Sequence, residues 1–141
     1  MKYVFNEGSI EVPDGLIDQS VNLLGTKSGD GLNVVISRDL LQPQETLDAY
    51  VSRQLKSLQA QMAGFKLHAR RTLNVNVERN AAEAIEIAFE YKQNGVKMHQ
   101  RQAILIVPRT GQILVLAMTS ALPFDAEDEQ SWQFTLGSFQ F

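Results

Sequence analysis

The sequence predicts an α+β domain in which a largely antiparallel sheet is packed by one long helix and a short C-terminal one. Three stretches carry that prediction. Residues 103–117, AILIVPRTGQILVLA, are two short runs rich in Ile, Val and Leu, separated by Pro108, Arg109, Thr110 and Gly111. That is the pattern of two antiparallel strands joined by a tight turn. In residues 83–91, Ile85, Ile87, Phe89 and Tyr91 alternate to one side while Glu83, Glu86 and Glu90 lie among the remainder, as in a strand with one buried and one wetter face. Residues 45–62 set Leu47, Val51, Leu55, Leu58 and Met62 on a single helix face.

The remaining elements follow in chain order. Residues 3–12 alternate on both sides of Asn6-Glu7-Gly8, which predicts a first hairpin closed by Pro13-Asp14-Gly15. QSVNLLG and LNVVISRD are two further strand candidates, separated by the glycine-rich GTKSGDG. Pro43 and Glu45 mark the start of the long helix, and Gly64 suits a left-handed position just past its end. Gly95 turns the chain into the 103–117 hairpin. At the C-terminus, acidic residues open a short helix with Trp132, Leu136 and Phe139 at helical spacing.

With 141 residues, 44% hydrophobic and 21% charged, the chain reads as one domain, 1–141, with enough material for a core. A formal charge of −3 offers no electrostatic footprint for nucleic acid. The hairpin is too short in each half for a membrane span, which needs ~20 unbroken apolar residues. Stable membrane insertion is therefore not expected. Met1–Val12 has no apolar run of the secretory kind, so a cytoplasmic location is expected. There is no cysteine. GTKSGDG lacks the order of a phosphate loop, His68 and His99 lack zinc spacing, and no G-x-S-x-G elbow is present. Neither an enzyme nor a cofactor is expected.

In the hairpin, Gln102, Ile104 and Ile106 share a face with Ile113, Val115 and Ala117, while Ala103, Leu105 and Val107 share the other with Leu114 and Leu116. Both faces are apolar. The long helix can cover only one, which leaves the other to the rest of the chain, a second subunit or a ligand. Gln102, an amide that is costly to bury without a partner, favours a ligand-facing surface.

ISRD at 36–39, YVSRQL at 50–55, GFKLH at 64–68 and RQ at 101–102, after DQSVN at 18–22, give the chain a family likeness. It resembles the effector-associated (Eag) chaperones of bacterial type VI secretion, a DcrB-like domain family, over essentially its whole length. The resemblance implies a PsbP/Mog-like fold with a curved sheet and a hydrophobic concave face, in a homodimer. It also implies an ATP-independent chaperone that shields the N-terminal transmembrane region of a PAAR- or Rhs-containing effector before export.

Carried over by position, the family's groove aliphatics fall on Val21 and Leu23 and its polar contacts on Asn33, Ser37, Gln54 and Gln102; Asn33 stands where the family has Ser. Periodicity adds Val35 between Asn33 and Ser37, and Ile104 beside Gln102. Gln54 lies one position before Leu55 on the long helix, where it is either a groove residue or an exposed boundary residue. Two alternatives stand beside the chaperone: a soluble-protein adaptor, and a carrier of small hydrophobic ligands.

Overall fold

In the computed structural model, residues 1–29, 31–75 and 82–140 are described; Asp30 of the glycine-rich loop lies outside them. The N-terminal hairpin forms a two-stranded sheet of its own from β1 (Lys2–Phe5) and β2 (Gly8–Glu11). Then come β3 (Asn22–Leu24), β4 (Asn33–Asp39), α1 (Leu47–Gln61), β5 (Ala63–Val75), β6 (Ala82–Gln93), β7 (Val96–Ile106), β8 (Ile113–Ser120) and α2 (Ala126–Gly137). The six later strands form one open, curved sheet in the order β3-β4-β8-β7-β6-β5, with every neighbouring pair antiparallel. This is the α+β architecture that the sequence predicts.

Register decides which side chains meet. Gln102 pairs with Ala117, Ile104 with Val115 and Ile106 with Ile113, so the two faces of the 103–117 hairpin are composed as the alternation requires. On one face, Ile85, Ile87, Phe89, Ile104 and Ile113 are buried against Leu47, Tyr50 and Val51 of α1. On the other, Ala84, Ala103, Leu105, Leu114 and Leu116 are buried with Trp132 and Leu136 of α2. Each helix therefore covers one face. The middle of the α2 side is covered by the chain itself, while Leu24 of β3, in register with Val34 and Met118 on that side, is 58% exposed.

Several local expectations change. Thr46, not Pro43 or Glu45, caps α1: its hydroxyl accepts from the Ala49 amide at 3.1 Å. Gly64 is left-handed, φ 63°, but it sits inside β5 beside a register shift between Ala63 and Lys66 rather than closing the helix, whose cap is Met62. The wetter face of β6 is not wet at Glu86, which is 4% exposed. Its carboxylate accepts from Trp132 Nε1 at 3.2 Å and from Arg71 Nη2 at 3.1 Å, and those donors compensate the burial of its charge. β5 alternates regularly in the sequence, with Phe65, Leu67, Ala69, Leu73 and Val75 all at odd positions, but its two register shifts leave Phe65 on the α1 side and Leu73 and Val75 on the α2 side.

Candidate functional site

α1 packs over β5, β6 and β7, whereas β8, β4 and β3 extend beyond it on the same face. The register lays that uncovered strip out in transverse rows. Gln100, Thr119 and Asn33 form one row; Gln102, Ala117, Val35 and Leu23 form the next; Ile104, Val115 and Ser37 form a third. The floor is made of short side chains, Ala117, Val115, Val35 and Ser37. At the far rim, Leu23 is 69% exposed, and Val21, just before β3, is 63% exposed. The opposite wall is α1. The result is a shallow trough with an apolar floor and rim.

Local chemistry holds both walls. Tyr50 of α1 donates its hydroxyl to Asp39 Oδ2 at the end of β4, 2.7 Å away. Burial first, and then this bond to a carboxylate, hold the Tyr50 phenol above its ordinary pKa. Arg53 lies over the Tyr50 ring, 5.1 Å from its centroid, and grips Glu45 through two bonds of 2.9 Å. At the rim, Arg38 Nη1 donates to Ser20 O at 3.1 Å and to Asn22 Oδ1 at 2.9 Å, and Gln112 Nε2 donates to Asp18 O at 3.0 Å. These bonds fix the segment that carries Val21 and Leu23.

Residues 7–138 match the DcrB family. The chain belongs to that family. This DcrB-family chain is 28% identical over 134 residues to Effector EagT6 of Pseudomonas aeruginosa, a match spanning 93% of this chain and 89% of that protein. Among solved structures it is similar to PA94, a P. aeruginosa protein of unknown function, with a TM-score of 0.77 at 27% identity; 99% of this chain and 95% of that one are covered.

On the DcrB-family framework, Leu23, Asn33, Val35, Ser37 and Gln102 are brought to one strip, and Val21 stands just before its rim strand β3. Gln54 follows Tyr50 by one turn, which puts it on the flank of α1 that faces β4. Ile104 does not join them at the surface. It is 0% exposed, packed beneath α1 with Val51 and Ile87, and so supports the floor without reaching a ligand. Gln102 is also less free than a lone handle: its Nε2 donates to Gln100 Oε1 at 2.6 Å, and Gln100 Nε2 donates on to Thr119 Oγ1 at 2.8 Å. Gln100 and Thr119 are the strip residues that the sequence reading passed over. The signal was present, since Gln100 precedes Gln102 by two and must share its face.

Proposed function

We propose that the protein is a non-enzymatic, ATP-independent chaperone of a type VI secretion effector, acting in the cytoplasm before export. The observation that carries this reading is the half of the α1 face that the chain leaves open, with Val21 and Leu23 exposed along its rim. Similarity to Effector EagT6 across most of the chain supports the effector system. The ligand class follows from the surface. An apolar helix displaced from a membrane gains ~25 cal/mol for each Å² that it buries, and a floor of Ala, Ser and Val admits close approach of a helix backbone. Polar groups in the floor, Ser37, and beside it, Gln102 and Gln54, meet the small or polar residues of such a helix. We take the occupant to be the N-terminal transmembrane region of a PAAR- or Rhs-containing effector, the client that the family resemblance implies. An open strip supports this over a carrier, which needs a closed pocket. Apolar side chains exposed on the N-terminal hairpin, Val4 and Ile10 among them, support a homodimer.

The test is co-expression with an effector's N-terminal region, intact or without its apolar helices. The intact form should co-purify in soluble complex and the deleted form should not. Leu23→Asp should keep the thermal midpoint of the free protein, because the side chain is exposed, and lose the complex. Equal recovery of the deleted form would instead establish a soluble-protein adaptor.

A further inference from the structure

On the α2 side of the sheet, away from the strip, β5 bulges next to a cavity. Leu67 pairs with Phe89 and Ala69 with Ala88, so His68 is the extra residue of that bulge. Its Nε2 lies 2.8 Å from Glu90 Oε1 on the α2 side. On the neighbouring strands, His99 pairs with Glu90 and Arg101 with Ala88, which sets both β7 side chains on the same face. A cavity of about 190 Å³ opens here, lined by His68, Ala88, His99 and Arg101 and by Pro123 and Phe124 just ahead of α2. Its lining carries two imidazoles and a guanidinium and no carboxylate. The nearby carboxylates lie outside the lining and are engaged, Glu90 with His68 and with Lys97 at 3.0 Å, Glu129 with Arg101. Arg101 also lies over the Phe124 ring, 5.0 Å from its centroid.

We propose that this cavity binds a carboxylate-bearing ligand, and that binding tightens as the two imidazoles gain protons. An ionised carboxylate only accepts hydrogen bonds, so beside Glu90 the proton of neutral His68 sits on Nε2, and Nδ1 becomes a second donor when the ring is protonated. The charges around the two rings set the sign. With both imidazoles neutral, Arg101 and Lys97 of β7 balance Glu90 of β6 and Glu129 of α2; each proton that His68 of β5 or His99 takes up then adds one positive charge. Imidazole is the side chain that makes this change between about pH 8 and 5. Ala88, Pro123 and the Phe124 ring offer apolar contact to the carbon chain of an organic acid, which inorganic phosphate lacks. The cavity is smaller than the ~300–1,000 Å³ of sites for drug-sized ligands. Its occupant is therefore a small acid or a single Asp or Glu side chain of a partner polypeptide.

The chain has two histidines, so NMR of the full protein follows the site through two imidazole Hε1 signals. The probes are sodium acetate, a capped Gly-Glu-Gly peptide and its Gly-Gln-Gly twin, each against sodium chloride at equal ionic strength. A carboxylate probe should shift both signals saturably at about pH 5.5 and bind roughly tenfold more weakly at about pH 8. The Gln twin should not bind. His68→Gln and His99→Gln, each read on the signal that remains, should each weaken binding at the lower pH by about tenfold, the worth of one hydrogen bond to a charged group. A Glu peptide that binds more tightly than acetate assigns the site to a partner's acidic side chain, and equal or tighter acetate binding assigns it to a free acid. Shifts that sodium chloride or the Gln twin reproduces, that never saturate, that are as strong at the higher pH, or that survive both substitutions overturn the proposal.

Discussion

At the scale of single residues, Gln102 is tied into the protein's own hydrogen bonds at the strip proposed to bind a helix. Its bond to Gln100 spends one Nε2 donor within the protein. Gln102→Leu should therefore lower folding stability by about 0.5–1.5 kcal/mol, the net value of one neutral hydrogen bond, and should also weaken client recovery. Urea midpoints for Gln102→Leu, Gln100→Leu and the pair test this. The double variant should cost less than the sum of the singles, because both remove the same bond; strict additivity would show that the bond contributes nothing. The alternation that places Gln102 opposite Ala117 is legible in the sequence, since side chains in a strand have period two. Its engagement with Gln100 is not, because a same-strand bond between residues two apart depends on the rotamers that both long side chains adopt. The burial of Ile104 was hidden for a related reason. Which part of a face a helix covers is set by its lateral placement on the sheet, and alternation along one strand carries no information about that.

Among the elements, α2 is the one whose role the sequence underdetermines. Its acidic opening was visible, but not that the helix covers the middle of the second face of the sheet through Trp132 and Leu136. Asp125 caps it in a reciprocal box: Asp125 Oδ1 accepts from the Asp128 amide at 2.8 Å, and Asp128 Oδ2 accepts from the Asp125 amide at 3.0 Å. Asp125→Ala should destabilise the fold by about 1 kcal/mol. Tryptophan fluorescence during denaturation reports it, as Trp132 is fully buried in the free protein. An unshifted midpoint would mean that packing alone holds the helix. α1 was the more legible helix because its apolar residues keep one stripe over four turns. β5 alternates cleanly in the sequence, but its facing was not legible, because register shifts turn its odd positions from the α1 side at Phe65 to the α2 side at Leu73 and Val75.

For the whole molecule, carboxylates tie separate parts of the chain together, and this gives stability a defined pH dependence. Arg53 beside Glu45, Lys97 beside Glu90 and Arg101 beside Glu129 each hold their carboxyl below the ordinary glutamate value, and the Ser20 hydroxyl does the same for Asp18. A carboxyl with a depressed folded value contributes stability that is present above its unfolded pKa, near 4.3. That contribution is lost as the pH falls through the lowered folded value. The urea midpoint should thus change little from pH 7 to about 5 on account of these groups and drop below about 4. Glu90→Gln should flatten part of the drop, and an identical acid limb in the variant would remove Glu90 from the account. The sheet's outer edge at β3 bears on the same molecule in another way. Only three residues, Asn22–Leu24, join that strand to β4, and all three are exposed. Opening it breaks few backbone bonds and exposes little additional apolar surface, so its local unfolding free energy lies far below that of the core. On the proposed function, a rim strand that opens once the Arg38 bonds to Ser20 and Asn22 give way would let one strip admit segments of different girth while its floor stays folded, without any repacking of the domain.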